Sequence, residues 1–313
     1  MAITAAHVAR APRIRLGMVG GGRGAFIGAV HRIASRIDDQ YELVAGSFSS
    51  DPEKSAASAA DLGVARSYGS FEEMAQKESR RKDGIEAVAI VTPNHMHAPV
   101  ALQFLKRGIH VICDKPLTTT LANALDLEAA VQRTGLPFVL THNYSGYAMV
   151  RQMRAMVAEG VLGVIRVVQA EYAQDWLARD LSGNKQADWR SDPERAGAGG
   201  ALGDIATHAY HLAAFVTGES ALAVSAETSR FVPGRRLDDD VQLRLRWASG
   251  ARGQLWASQV AIGMQNALSI RVFGSKGALT FRQETPEELW FTRICERPQR
   301  LTRGGPGLGI AAA

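Results

Sequence analysis

Apolar residues follow two different periods along this chain, and the change from one to the other divides it near residue 145. Up to that point short apolar runs alternate with segments of helical period. Ile14-Arg15-Leu16-Gly17-Met18-Val19, Tyr41-Glu42-Leu43-Val44-Ala45-Gly46, Ala87-Val88-Ala89-Ile90-Val91 and His110-Val111-Ile112-Cys113 read as buried strands, with a further strand expected over 137–141. Between them the spacing predicts helices over 25–37, 53–62, 71–77, from the Thr92-Pro93-Asn94 loop to about Arg107, and over 119–133. Gly63 stands just past the second of these, where a helix ends. Ala87–Val91 is apolar throughout, as in a strand covered on both faces of a parallel sheet. Such alternation predicts βαβ units in a parallel sheet with right-handed crossovers.

Beyond residue 145 the pattern becomes that of hairpins. A helix over 150–159 leads into an alternating strand over 164–172, then a loop carrying Trp176 and Trp189, then a helix from about Leu202 to Val216. Val241, Leu243, Leu245 and Trp247 alternate with polar residues and stop at Ser249-Gly250. A returning strand covers 253–260, and strands over 269–273 and 278–281 flank Gly274-Ser275-Lys276-Gly277. The expectation is a large, mainly antiparallel sheet with helices on one face, and no internal repeat is visible. From Pro298 onward Gly, Pro, Arg and Ala dominate without a strand signal, which predicts a mobile tail. The organisation expected is a 1–13 extension, a parallel α/β domain over 14–145, an α+β domain over 146–297, and a tail over 298–313.

Composition removes more than it adds. A chain of 313 residues, 46% hydrophobic and 21% charged, has room for two ordinary cores. No apolar run is long enough to span a bilayer, and the N-terminus lacks the positive-then-apolar order of a secretory leader. Cys113 and Cys295 form neither a disulfide framework nor a CxxC pair. A cytoplasmic protein with no membrane partner is expected. The net charge of +5 and the pI near 9.4 raise nucleic acid as a partner. The basic residues are scattered, however, and the densest run, Arg80-Arg81-Lys82, reads as a solvated helix end. No nucleic-acid partner is expected, and a modest positive field equally suits a polyanionic small molecule.

Candidate chemistry begins at Gly20-Gly21-Gly22-Arg23-Gly24-Ala25. Gly20, Gly22 and Ala25 match G-x-G-x-x-G/A directly after a strand and at the opening of a helix. Without a Cβ the backbone can approach the pyrophosphate of a dinucleotide, whose charge faces the helix N-terminus. A glycine-rich connection without a ligand is the plain alternative. The end of the second strand, where an acidic residue ordinarily takes the ribose 2′-hydroxyl, offers Ser47, Phe48, Ser49 and Ser50. Asp51 comes slightly late and Lys54 a turn further on. Ser49, Ser50 and Lys54 suit a 2′-phosphate, whereas Asp51 suits either a hydroxyl or the cap of the next helix. NAD and NADP both stay open.

Lys115 follows a strand, at the carboxyl edge where open α/β sheets bind ligands. It can stabilise developing charge on a substrate oxygen, or be a surface lysine at a strand end. Asp204 and His208, four apart on a predicted helix, share one face, with Thr207 and His211 on or near it. A histidine exchanges protons near neutral pH, and a neighbouring carboxylate orients it. A capping Asp with a core His is the alternative. A metal site of Asp204, His208 and His211 has weak ligand spacing and no cysteine, and no metal is expected. Of His95 and His97, one is expected to line the cofactor cleft and the other to be structural.

Several segments together resemble the Gfo/Idh/MocA family, relatives of glucose–fructose oxidoreductase and inositol dehydrogenase. They are the glycine turn, Val91-Thr92-Pro93-Asn94-His95-Met96-His97, Gly108 to Pro116 with Asp114-Lys115-Pro116, and Gly199-Gly200-Ala201-Leu202-Gly203-Asp204-Ile205-Ala206-Thr207-His208. The resemblance covers residues 14 to about 282. It implies a Rossmann-type first domain and an NAD- or NADP-dependent oxidoreductase acting on a sugar, anhydrosugar or cyclitol hydroxyl. Lys115, Asp204 and His208 would be the catalytic set, with His208 exchanging the hydroxyl proton, Lys115 bonding the same oxygen and Asp204 orienting His208. The cofactor set implied is Gly20, Gly22, Arg23, Gly24, Ala25, Phe26, Ser49, Ser50, Lys54, Thr92, Pro93, Asn94, His97, Asp114 and Lys115. The substrate set is Tyr144, Gln174, Trp176, Trp189, His208 and His211, although each tryptophan is equally a core residue. A homo-oligomer, dimer or tetramer, through the second sheet is expected. Three departures stand out: Asp114 replaces the commoner Glu, His211 stands where many relatives carry Asp, and the sequence stops early. The alternatives are a non-catalytic dinucleotide-binding regulator and an inactive, truncated member.

Overall fold

The computed structural model describes residues 12–181, 183–306 and 309. The chain forms two compact units, the first ending at Thr141 and the second beginning at His142.

In the first unit the strands are β1 (Ile14–Gly20), β2 (Tyr41–Ser47), β3 (Arg66–Ser67), β4 (Ala87–Val91), β5 (His110–Cys113) and β6 (Phe138–Leu140). The helices are α1 (Ile27–Ile37), α2 (Pro52–Leu62), α3 (Phe71–Glu78), α4 (His97–Leu105) and α5 (Leu121–Thr134). The six strands are parallel and lie in the order β3-β2-β1-β4-β5-β6. This is the doubly wound order, and its direction reverses between β1 and β4. The apolar run of β4 is explained by its two faces. Val88 and Ile90 pack into one core, Ala87, Ala89 and Val91 into another, because successive side chains of a strand point to opposite sides. The short β3, an edge strand of two residues, carries too little pattern to have been expected.

The second unit contains α6 (Ala148–Ala158), β7 (Ile165–Ala173), α7 (Lys185–Arg190), α8 (Pro193–Ala196), α9 (Thr207–Thr217), β8 (Ala223–Ser229), β9 (Asp240–Arg246), β10 (Arg252–Ser258), β11 (Ala267–Gly274), β12 (Gly277–Arg282), β13 (Glu288–Arg293) and β14 (Gln299–Thr302). Its eight strands run β14-β13-β12-β11-β7-β10-β9-β8. Only β7 and β10 pair in parallel; the other neighbours are antiparallel. Val241, Leu243 and Leu245 of β9, Leu255 of β10 and Ile270 of β11 join one core with Met149 and Met153 of α6 and Leu212 and Val216 of α9. The opposite face carries Gln242, Arg244 and Gln254, all exposed. The sequence therefore builds a one-sided sheet through its alternation.

Two expectations need correction. The region after Pro298 is not without strands: Gln299–Thr302 pairs antiparallel with β13, Leu301 opposite Leu289. Its residues bring little apolar pattern of their own and gain strand geometry from that partner. The expected helix from Leu202 also opens with a wider, π-type turn over Leu202–Ala206 before α9 begins. Residues 1–11 of the expected extension, and 307–308 and 310–313 of the expected tail, lie outside the described residues.

The buried sheet face should dominate stability. Ile270→Ala, at a fully buried position, is expected to cost about 2–5 kcal/mol in urea unfolding. Gln254→Ala on the exposed face should stay within about 0.5 kcal/mol. Equal losses would contradict the one-sided sheet.

Candidate active site

The glycine turn leaves β1 at the point where the strand order reverses. Gly20 pairs with Val91, so the turn and the Thr92-Pro93-Asn94 loop leave neighbouring strands side by side. Gly20, Gly21 and Gly24 have φ of +83°, +72° and +73°, a region that side chains with a Cβ rarely adopt. A Cβ on Gly20 would lie 2.7 Å from the Val91 carbonyl oxygen. One on Gly22 would lie 2.7 Å from both the Phe48 carbonyl oxygen and Ser58 Oγ. Arg32 of α1 donates from Nη1 to the Gly21 carbonyl at 2.8 Å. In a planar trans peptide the next N–H points the opposite way, and the Gly22 N–H meets no acceptor among the described residues. Phe26, exposed, precedes α1 without a side-chain cap, and the first turn holds no acidic residue. Thr92 Oγ1, beside this turn, is buried without a hydrogen-bond partner among the described residues.

Backbone donors at an uncapped helix start, reached over a strip without Cβ atoms, fit a diphosphate. Gly22 would hold it through its N–H, and Gly20 and Gly24 would let the backbone come close, while the Ala25 N–H donates to the Gly22 carbonyl at 3.0 Å and closes the turn. The Arg23 N–H donates to Ser58 Oγ at 3.2 Å, and its Nη2 lies 2.7 Å from Asp61 Oδ1. At the end of β2, Asp51 caps α2 by accepting the N–H groups of Glu53 (3.0 Å) and Lys54 (3.3 Å). Hydrogen bonding to Lys54 and Glu53 holds its carboxyl below the usual range. Ser49 Oγ accepts the Asp51 N–H, and Ser50 and Lys54 are exposed.

Lys115 lies in the turn after β5, whose Cys113 pairs with Ile90 of β4. Asp114 beside it is anchored inside the unit. Its N–H donates to the Ile90 carbonyl (3.0 Å), Thr141 Oγ1 donates to its carboxylate (2.8 Å), and His31 Nε2 stands 3.6 Å away. His97, expected among the cofactor residues, lies inside the unit. It is 1% exposed, with Nδ1 2.7 Å from the Pro116 carbonyl and Nε2 3.1 Å from the Thr92 carbonyl. Both nitrogens thus face backbone carbonyls. Burial pushes its pKa down, as it pushes the Cys113 thiol up.

In the second unit Asp238 fills the start of the helix that carries Asp204 and His208. Its carboxylate accepts the Gly200 and Leu202 N–H groups, both at 2.7 Å. Asp204 Oδ2 accepts from Gln259 Nε2 at 2.9 Å and lies 3.3 Å from Arg190 Nε. His208, 6% exposed, is surrounded by rings: Tyr144 at 4.8 Å, His142 at 5.6 Å and Tyr172 at 6.0 Å between centroids. His142 stacks on His211 at 4.1 Å, and burial lowers the His211 pKa. The Tyr144 and Tyr172 hydroxyls are 2.5 Å apart, and Tyr172 donates to Asn266 Oδ1 at 2.6 Å. Gln174 Nε2 donates to the same oxygen at 2.8 Å, and Trp176 Nε1 to Gln174 Oε1 at 3.1 Å. The Arg190 guanidinium covers Trp189 at 4.1 Å and stands 5.7 Å from Trp176. Every expected substrate residue therefore belongs to one polar and aromatic network. His142, Tyr172, Arg190, Gln259 and Asn266 escaped the sequence reading. Arg190, next to a marked Trp, carried the one usable signal.

Burial alone would raise the Asp114 pKa. The His31 ring 3.6 Å away, the hydrogen bond from Thr141 and the positive field of Lys115 outweigh it and hold the carboxyl below its usual value. Such a group stabilises the fold above the unfolded value, near ~3.9, and the gain is lost as pH falls through the lower folded value. Thr141→Val is expected to raise the Asp114 pKa, cost about 0.5–1.5 kcal/mol at neutral pH, and move acid unfolding, followed by circular dichroism, to higher pH. An unmoved midpoint would contradict the anchoring of Asp114.

Residues 14–153 match the model of an oxidoreductase family with an NAD-binding Rossmann fold, and 150–280 match the GFO/IDH/MocA C-terminal domain. An oxidoreductase of known structure from Sinorhizobium meliloti is 52% identical, with a TM-score of 0.88 over 96% of this chain and 81% of that one. An inositol dehydrogenase homologue from Azotobacter vinelandii, solved with NADH and myo-inositol, is 34% identical with a TM-score of 0.91, covering 96% and 79%. Levoglucosan dehydrogenase of Pseudarthrobacter phenanthrenivorans is 29% identical over 306 residues, 88% of this chain and 75% of that protein.

Proposed function

Because this chain belongs to the Gfo/Idh/MocA family of oxidoreductases, we propose that it is a nicotinamide-dependent dehydrogenase or reductase of a secondary hydroxyl on a sugar, anhydrosugar or cyclitol. The first unit is the NAD-binding domain of that family. The observation that carries the reading is the strip at Gly20 and Gly22 that excludes any Cβ, beside a Gly22 N–H that meets no acceptor among the described residues. Nicotinamide, when bound, accepts or returns the hydride.

The chain's own groups supply the proton chemistry. In oxidation a ring nitrogen of His208 takes the hydroxyl proton, and Lys115 Nζ donates a hydrogen bond to that oxygen as negative charge develops on it. In reduction the same groups return the proton. Asp204, held by Gln259 and facing Arg190, supplies the carboxylate that favours the His208 imidazolium. Tyr144, Gln174, Trp176, Trp189 and His211 form the substrate lining, with flat rings suited to the apolar faces of a cyclic polyol. Thr92, Pro93 and Asn94 complete the nicotinamide side of the first unit, and Ser49, Ser50 and Lys54 its ribose end. The enzyme works in the cytoplasm, consistent with unpaired Cys113 and Cys295 and with the lack, among the described residues, of a helix long and apolar enough to cross a membrane. It assembles as a homo-oligomer through the exposed face of the second sheet, where Trp290 lies exposed among polar side chains.

The test is a panel of cyclitols, pyranoses and anhydrosugars with NAD+ and NADP+, read as reduced nicotinamide absorbance. Lys115→Ala and His208→Asn should each lower kcat/KM for the active substrate by about 10²–10⁴-fold. A panel with no turnover, or Lys115→Ala at the wild-type rate, would overturn the reading.

A further inference from the structure

Lys115 stands between two neighbours that are both tied to the body of the first unit. On one side Asp114 is held by the Ile90 carbonyl, Thr141 and His31. On the other side the Pro116 carbonyl is held by His97 Nδ1 at 2.7 Å. His97 is the first residue of α4 and is almost wholly buried. Its ring spans from the end of β4, where Nε2 lies 3.1 Å from the Thr92 carbonyl, to the turn after β5. This one side chain therefore bridges the two loops that leave the carboxyl edges of adjacent strands.

The chemistry of the bridge is asymmetric. A carbonyl oxygen only accepts, and a neutral imidazole carries a single N–H. Burial favours the neutral ring; the two carbonyls and the Asp114 charge oppose that, and Lys115 supports it. With one proton to share, the shorter contact takes it, and that contact is to Pro116. We propose that His97 is a positioning residue, carrying its proton on Nδ1 and fixing, through the Pro116 carbonyl, the backbone from which Lys115 projects.

The inference rests on the reading of Lys115 as catalytic, but it assigns His97 no contact with substrate or dinucleotide. Buried with both nitrogens against backbone, the ring acts on the reaction only through the placement of Lys115. Misplacing a reacting group by ~1 Å can cost about 100-fold in rate. Asparagine and glutamine separate the two halves of the bridge. His97→Asn puts an amide N–H near the position of Nδ1, within reach of Pro116. His97→Gln puts it near Nε2, within reach of Thr92.

The first measurement needs neither substrate nor variant turnover. Long-range 1H–15N spectra of the histidine-labelled protein, with the His97 signals identified by their loss in His97→Asn, should show a protonated Nδ1. A His97 ring bare at Nδ1 overturns the proposal. The second is kinetic: His97→Gln should lower kcat by up to about 100-fold while NADH affinity, read by fluorescence, is unchanged, and His97→Asn should restore most of kcat. Equal kcat losses in the two variants, or a parallel loss of NADH affinity, overturn the positioning role. Because the tautomer is read without substrate, its failure is distinct from that of the catalytic assignment, which Lys115→Ala decides.

Discussion

The first unit depends on a close approach of backbones at the end of β1. Gly20 passes the Val91 carbonyl, and Gly22 passes the Phe48 carbonyl and Ser58, at distances that leave no room for a side chain. This contact fixes the ends of β1, β4 and β2 together and aims the start of α1 across them. It also leaves backbone donors uncovered where the strand order reverses, the place in an open α/β sheet where ligands gather. Arg32 secures the arrangement from behind by holding the Gly21 carbonyl. The same absence of Cβ atoms therefore permits the packing and opens the anion site.

From that edge the next two loops inherit their order. The Thr92 loop follows β4 and the Asp114-Lys115-Pro116 turn follows β5, one strand further on. His97 holds the Pro116 carbonyl while its other nitrogen lies against the Thr92 carbonyl, and Thr141 and His31 tie Asp114. In the proposed reaction Lys115 gains from such fixed neighbours, because preorganised donors need no rearrangement when charge develops. In the second unit the π-type turn and the Asp238 cap set Asp204 and His208. Around them, Tyr144, Tyr172, Gln174, Trp176 and Asn266 form a hydrogen-bonded network of rings and amides.

Much of this was legible in the sequence where one residue type has one physical use. The glycines of the turn, the two-faced apolar run of β4 and the alternation in β9 announced their elements because no other arrangement suits them. The edge strand β8 gave no such signal, since nearly all its side chains are exposed and alternation needs a buried face. β14 owes its form to β13 rather than to its own residues. The histidines illustrate the limit most clearly. His97 and His208 look alike in sequence, yet one has both nitrogens against carbonyls and the other sits among rings, a difference created wholly by tertiary neighbours. His142, Tyr172, Arg190 and Asn266 were missed for the same reason: each gains meaning from a partner distant in the chain.

The central claim is that the strip without Cβ atoms at Gly20–Gly22 is where the dinucleotide binds. It is tested most directly by titrating NADH into the wild-type protein and into Gly22→Ala, with circular dichroism and thermal unfolding confirming that both are folded. A Cβ placed 2.7 Å from the Phe48 carbonyl and Ser58 Oγ must displace the turn. Saturable binding is expected for the wild type and at least about tenfold weaker binding for the variant, a loss of about 1.4 kcal/mol. Equal affinity in two well-folded proteins would contradict it.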